Sequence, residues 1–582
     1  MTGTRTPARK RRTALLAAGA LLGGTLGAGA LMQGTASAAP ACTVDYKIAN
    51  EWGSGFSASV KVTNSAAATL SNWKVEWEFA GSQQVSQGWS ASVTQSGKRV
   101  TASAPSWNST LSTGASAEFG FNASYSGTNS IPSSFTLNGV TCNVDSGSDD
   151  DNDDDDNDND NGAAARVDNP FEGAQLYVNE DWSRQAAASG GEAIADEPTA
   201  VWLDRIAAIE SGSAGENTMG LRDHLDAALE QGADALQMVT YNLPGRDCAA
   251  LASQGELGPD EIDKYKNEFI DPIAEILSDP KYADLRIINV VEIDSLPNLI
   301  TNVGSRETAT ENCDEMLANG NYVEGVGYAL ATLGDIENVY NYIDIGHHGW
   351  IGWDDNFSAT AELLYEASNT AGATVDDVAG FAANTANYGA TVEPYFSIDD
   401  TVNGTPIREE SSWVDWNRYV DEQSFAQAFR EEAISVGFNS DVGVIIDTSR
   451  NGWGGPDRPT GPASKNGTAD EYVDGSRIDR RIHLGNWCNQ AGAGLGERPT
   501  ASPATGIDAY AWIKPPGESD GTGEDIANDE GKKPDGMCDP DYQGNPRNQN
   551  NPSGALPNAP VSGHWFQAQF EELLENAYPP VN

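Results

Sequence analysis

A chain of 582 residues exceeds what one hydrophobic core ordinarily organises, so more than one domain is expected. Its formal net charge of −52 is spread unevenly: residues 39–142 are neutral, 143–166 carry −9 and 167–582 carry −48. So acidic a surface repels phosphate backbones and anionic bilayers, which excludes nucleic acid and membranes as partners and leaves a neutral or cationic ligand.

The chain opens on a basic cluster, Arg9-Lys10-Arg11-Arg12, then an apolar small-residue run from Ala14 to Met32, then Ala36-Ser37-Ala38. That order describes an export signal over residues 1–38, cleaved after about Ala38, and a secreted, extracellular protein. The six cysteines fit an oxidising destination, and none forms a C-x-x-C pair, so no zinc or redox motif is read. The domain layout favours three sequential bridges: Cys42–Cys142, Cys248–Cys313 and Cys488–Cys538.

Residues 39–142 alternate apolar and polar side chains, as in Ser57-Ala58-Ser59-Val60-Lys61-Val62, between clusters of Gly, Ser and Asn. Short period-two segments of this kind predict an all-β sandwich, stapled end to end by Cys42 and Cys142. Trp73 and Trp77 share a strand face, and at least one belongs to the core. Trp52, Trp89 and Trp107 have small polar neighbours and little apolar company. A row of exposed indoles in a neutral domain suits stacking on the flat faces of glucan chains. Cys42 through Trp52, Gly88-Trp89-Ser90, Trp107-Asn108, Phe119-Gly120-Phe121-Asn122 and Asn138 to Cys142 resemble a family 2 carbohydrate-binding module. The resemblance implies that Trp52, Trp89 and Trp107 grip crystalline cellulose, with no catalytic role.

Residues 143–166 form an Asp/Asn-rich linker whose like charges predict an extended, unfolded segment. From 167 to 582 apolar β-type runs alternate with helical stretches, among them Ile262–Leu277 and Phe425–Ile434. The runs are 235–239, 286–291, 391–394 (Thr-Val-Glu-Pro), 442–446 and 509–513. Runs without alternation suit strands buried on both faces, so a distorted parallel α/β (TIM-like) barrel is expected, in a multidomain chain.

Acidic residues follow these runs: Asp247, Asp294, Asp344, Asp447 and Asp520. In a barrel all five reach the carboxyl-end rim, where barrel enzymes keep their sites. With no Gly-x-Ser-x-Gly and no His-Glu-x-x-His, serine esterase and zinc hydrolase chemistry are disfavoured. Paired carboxylates beside aromatics are instead what glycoside hydrolysis requires: one protonated, to donate to the leaving oxygen, and one ionised, to handle the water.

The strings from Tyr241 to Ala250, Glu292 to Asn302, Asp344 to Trp353, Asn486-Trp487-Cys488 and Lys514 to Gly521 resemble glycoside hydrolase family 6, the inverting cellulases. The resemblance implies Asp294 as general acid, Asp247 as the aspartate that raises its pKa, and Asp520 as base. It further implies Tyr241 as the residue that distorts the reacting sugar and Ser253 as a holder of the water. Trp350, Trp353, Trp487, Lys514, Glu518, Asp344 and Arg246 are expected at the substrate. Two positions depart from the family's pattern, Ser519 where some fungal members carry cysteine and Asn242 where aspartate is common. No cofactor or metal is expected, and the chain is expected to act as a monomer on cellulose.

Between Asp447 and Asp520 lies a Gly/Pro-rich stretch too long for an ordinary connection. Pinned by Cys488, it is expected to roof the cleft and confine cutting to chain ends; the resemblance to the family's exo-acting bacterial members, which carry this insertion, implies release of cellobiose from the non-reducing end. The alternatives are an open-cleft endoglucanase of the same family, a non-catalytic cellulose-binding scaffold and a metal-dependent hydrolase built on the aspartate cluster.

Overall fold

The computed structural model describes residues 42–52, 55–64, 69–79, 81–105, 109–112, 115–125, 132, 135–138, 140–145, 166–212, 218–528 and 530–581. The export signal, most of the linker, Trp107 and the side chain of Trp52 lie outside the described residues. The chain divides into two compact units, Met1–Asp158 and Asn159–Asn582.

The first unit contains two five-stranded sheets. One orders Asn143–Asp145, Cys42–Trp52, Gly55–Asn64, Ser116–Ser124 and Gln84–Trp89, and the other Val140–Thr141, Phe135–Leu137, Lys74–Glu78, Arg99–Ser103 and Ser92–Ser96. From Phe56 to Asn64 buried residues alternate with half-buried or exposed ones, as the period-two pattern requires. Both Trp73 and Trp77 are core residues, and their rings pack on Phe119. Trp89 behaves oppositely, keeping 44% of its surface exposed. It pairs across the strands with Gly120, where a Cβ would stand 2.3 Å from the indole. The glycine between two buried phenylalanines therefore gives the ring room to lie on the sheet. The Cys42–Cys142 bridge closes this unit's ends.

The second unit is built on an eight-stranded sheet: β1 (Val201–Leu203), β2 (Ala235–Thr240), β3 (Arg286–Val291), β4 (Val339–Asp344), β5 (Gly380–Ala383), β6 (Gly443–Asp447), β7 (Thr500–Ala504) and β8 (Ile507–Ala511). Their order is β1-β2-β3-β4-β5-β6-β8-β7, parallel throughout except for the β7–β8 hairpin. A single bridge from Thr199 to Trp512 links the start of the sheet to the end of β8, so the sheet curls into a distorted barrel. Every residue of β2, β4, β5 and β6 is buried. Alternate side chains face two cores: Leu236, Met238 and Ile287 pack outward with the helices, while Val239, Ile288 and Val290 pack inward with Tyr342 and Ala511.

Two sequence expectations change here. Thr391–Pro394 is not a strand; the fifth strand is the earlier Gly380–Ala383, and Glu393 lies buried in the loop beyond it. The helix over Ile262–Leu277 forms, but Tyr265–Ile270 is wound as a π-helix. Pro272 has no N–H to return to the preceding turn, and the wider winding accommodates that gap. The remaining bridges, Cys248–Cys313 and Cys488–Cys538, are both present.

Candidate active site

The carboxyl ends of the strands converge on a cavity of 350 Å³. Asp344 and Asp447 are the last residues of β4 and β6. Asp247 sits in the loop after β2, Asp294 in the turn after β3 and Asp520 in the segment after β8. Asp247, Asp294 and Asp520 line the cavity, together with Tyr241 and Ser253.

The turn that presents Asp294 is strained, because Glu292 (φ 49°) and Asp294 (φ 52°) both occupy the left-handed region that side chains disfavour. Hydrogen bonds hold it there. Asp294 N–H donates to Asp344 at 3.1 Å, Ser295 Oγ donates to the Glu292 carbonyl at 2.6 Å, and Asn298 Nδ2 donates to the Asp294 carbonyl at 2.6 Å. The buried Glu292 carboxylate accepts from the Asn242 and Leu243 N–H groups and from the Tyr265 hydroxyl. It thereby ties the loop carrying Asp247 to the turn carrying Asp294. Asp247 is itself in the left-handed region (φ 45°).

These carboxyls disfavour ionisation together. Burial pushes Asp294 well above the ordinary carboxylate range, and the charges of Asp247, Asp344 and Asp520 push it further. Burial raises Asp247 to about 7 against a hydrogen bond from Ser253, and raises Asp344 to about 7. Asp520 has a different setting. Arg450 Nη1 donates to its Oδ1 at 2.7 Å, while the Tyr388 hydroxyl (2.6 Å) and Asn489 N–H (2.8 Å) donate to Oδ2. Arg450 is fully buried, its guanidinium 4.3 Å from the Tyr388 ring centre.

Trp350, Trp353, Trp487 and Lys514 line the cavity as expected. Trp350 Nε1 is fixed by Thr301 Oγ1 at 2.8 Å and Trp353 Nε1 by the Asp415 carbonyl at 2.7 Å. The Tyr241 hydroxyl is buried without a protein partner, and its ring meets Trp202 edge-on. Three expected substrate contacts, Asp344, Glu518 and Arg246, are not among the lining residues. Asp344 backs Asp294, and Glu518 lies 3.7 Å from Lys514 Nζ. Arg246 is 2% exposed: its guanidinium donates to the carbonyls of Asp204, Tyr241 and Ser253 and lies 4.1 Å from the Tyr241 ring centre. It braces Tyr241 and Ser253 rather than facing the cavity.

The lining also includes Trp202, His347, Asp415, Arg547 and Gln549, which sequence reading did not single out. Trp202 sits in β1, a strand too short to announce itself, and Arg547 and Gln549 come from an irregular segment without periodicity. Among the described residues, the cluster close enough to share a metal ion is His347, His348 and Glu422, not the aspartates. In that cluster His348 Nδ1 and Glu422 Oε1 already hydrogen-bond at 2.6 Å.

The long stretch after β6 carries a helix, Ala469–Ser476, whose Ala469, Tyr472 and Val473 pack on Ile407 and Val414 of the loop after β5. Buried Glu393 accepts the N–H groups of Ile478 and Asp479, joining the same two loops. His483 and Trp487 of this stretch line the cavity, and Cys488 bonds it to Cys538 of the segment after β8. That segment reaches the loop after β5 through Gln549 Nε2, which donates to Asp415 Oδ2 at 2.6 Å.

A parallel barrel whose strand-end aspartates meet in an aromatic-lined cavity is the equipment of a glycoside hydrolase. The family model described as glycosyl hydrolases family 6 matches residues 165–577, and one described as cellulose binding domain matches residues 42–142. The chain belongs to glycosyl hydrolases family 6, with an added cellulose-binding domain of the second type. It is 45% identical over 443 residues to Exoglucanase A of Cellulomonas fimi, covering 72% of this chain and 49% of that protein, so it spans about half the length of this relative. It is 36% identical to 1,4-beta-D-glucan cellobiohydrolase CEL6C of Podospora anserina, over 69% of this chain and 82% of that one. Among solved structures the catalytic domain of Cellulomonas fimi Cel6B is similar with a TM-score of 0.68 and 44% identity, covering 72% of this chain and 97% of that chain.

Proposed function

We propose that this chain is an exported, monomeric cellulase that hydrolyses β-1,4-glucosidic bonds with inversion and releases cellobiose from non-reducing chain ends. The observation that carries the reading is the site of Asp294: a buried carboxyl whose pKa is raised by burial and by the charges of Asp247, Asp344 and Asp520, inside a cavity walled in part by Asp415 and Gln549, which hydrogen-bond to each other. The related exoglucanase and cellobiohydrolase support it.

In this reading the Asp294 proton passes to the glycosidic oxygen as its bond to the anomeric carbon breaks. A water attacks that carbon from the opposite face and becomes the α-hydroxyl of the new reducing end. Its surplus proton goes to Asp520, directly or through solvent. A carboxylate offers about four lone-pair sites. Arg450, Tyr388 and Asn489 occupy three on Asp520, which leaves one for the proton. Ser253, bonded to Asp247, holds the water, and the unpartnered Tyr241 hydroxyl contacts the distorted sugar. Trp202, Trp350, Trp353 and Trp487 supply apolar faces for the glucosyl rings, while Trp52, Trp89 and Trp107 anchor the chain to crystalline cellulose.

Product analysis tests the reaction. The first soluble product from amorphous cellulose is α-cellobiose, and the viscosity of carboxymethylcellulose falls slowly relative to sugar released. A β-anomer as first product overturns inversion, and a rapid viscosity drop overturns exo action.

A pH profile tests the tuning of the acid. Activity requires Asp294 protonated, so it is lost as pH rises through that group's raised pKa. Removing a neighbouring negative charge lowers the pKa. Asp247→Asn therefore moves the alkaline limb of the residual kcat to lower pH, and a limb that stays or moves upward contradicts the assignment.

A further inference from the structure

Most tryptophans of the described residues are buried or half-buried, and two are exposed: Trp89 in the first unit and Trp416 in the second. Trp416, at 53%, is the more exposed. Its neighbour Asp415 lines the cavity, so Trp416 follows directly on the lining in the chain. Nothing in the chemistry of the carboxylates uses it.

The backbone here is held in an unusual shape. Asp415 (φ 43°) and Trp416 (φ 67°) are consecutive residues in the left-handed region, which a bulky side chain seldom enters. Hydrogen bonds enforce it. Trp416 N–H donates to the Arg408 carbonyl at 2.9 Å, and Arg408 Nε donates back to the carbonyls of Trp416 (2.9 Å) and Asn417 (3.1 Å). Arg408 Nη2 also reaches Asp354 at 3.2 Å, the residue that follows Trp353. Trp353 itself donates its indole N–H to the Asp415 carbonyl. The backbone that carries the exposed indole is thus tied at two points to the Trp353–Asp354 segment, whose Trp353 lines the cavity. An apolar ring gains nothing by facing water, so strain spent on presenting one to solvent points to a ligand.

We propose that Trp416 is a glucan-binding platform outside the cavity, stacking on glucosyl units of a β-1,4-glucan chain that extends past Trp353. The occupant is argued from continuity: Trp353, in the cavity, hydrogen-bonds to the residue that precedes Trp416, so a chain that reaches Trp353 lies next to the segment carrying this indole, and a neutral sugar ring is the ligand an indole in an acidic surface suits. The platform engages only chains too long for the cavity. It rests on the cellulase reading above.

The test compares short and long cello-oligosaccharides with the full chain. Trp416→Asn removes the ring while keeping a residue that tolerates the left-handed backbone, and Trp416→Tyr keeps an aromatic face. Trp416→Asn is expected to leave kcat and KM for cellotetraose within about twofold of the parent. The same change raises KM for celloheptaose by about three- to tenfold, the loss of one stacking contact, and Trp416→Tyr restores most of it. Equal effects on both lengths, or none on either, overturn the platform. A parent inactive on both oligosaccharides instead overturns the cellulase reading, so the two failures are distinguishable.

Discussion

Asp294→Ala is expected to lower kcat on amorphous cellulose by about a thousandfold, the contribution of a positioned general acid. In the proposed role, the proton it supplies is needed only when the departing sugar is a poor leaving group. A β-cellobioside whose aryl alcohol is strongly acidic leaves without help, so the same variant is expected to lose far less on that substrate. The contrast separates an acid from a residue that merely shapes the cavity, since a shape defect would slow both substrates alike. A thermal unfolding curve matching the parent excludes collapse of the turn, which is a real concern because Glu292 and Asp294 are both strained. Comparable activity of parent and variant on amorphous cellulose would remove Asp294 from the mechanism.

The second large effect concerns stability. Arg450 and Asp520 form an ion pair with side chains 0% and 5% exposed. Arg450→Met leaves the carboxylate buried with its counter-charge gone, which costs about 3–5 kcal/mol. Chemical denaturation of the second unit's transition measures this. Adding Asp520→Asn removes the stranded charge, so the double variant is expected to recover part of the loss, and the cycle of four proteins isolates the coupling. A loss below about 1 kcal/mol for Arg450→Met, or strict additivity, contradicts a tight pair. The guanidinium also fixes the orientation of Asp520, so the single variant is expected to slow hydrolysis as well as unfold earlier.

Much of this site is legible in the sequence because its chemistry sits at strand ends. An apolar run followed by aspartate marks both the element and the rim position, and β4 and β6 end on Asp344 and Asp447 as such runs predict. The cysteines were equally informative, since their spacing with the domain layout favours the three bridges that form. What escaped has a common cause. Arg450, Tyr388, Glu292 and Gln549 act through partners more than 25 residues away, and no local pattern encodes such a partner. Arg246 stands outside the cavity lining for a similar reason. A charge next to a strand-end aspartate reads as a ligand contact, whereas its Nε and Nη1 donate to three carbonyls of its own surroundings and Nη2 faces Asp204. Thr391–Pro394 carries β-branched residues without being a strand, and the true β5, Gly380–Ala383, is four small or aromatic residues too brief to show a period.

The Cys488–Cys538 bridge joins the stretch after β6 to the segment after β8, and both contribute cavity walls. Such a bond forms and persists only where thiols are oxidised. A chain made in a reducing cytosol would carry all the carboxylates and lack this strap, leaving the two walls joined by non-covalent contacts alone. The choice of production host therefore bears on the geometry of cutting, and the ratio of end-wise to internal cleavage becomes a readout of whether the bridge has closed.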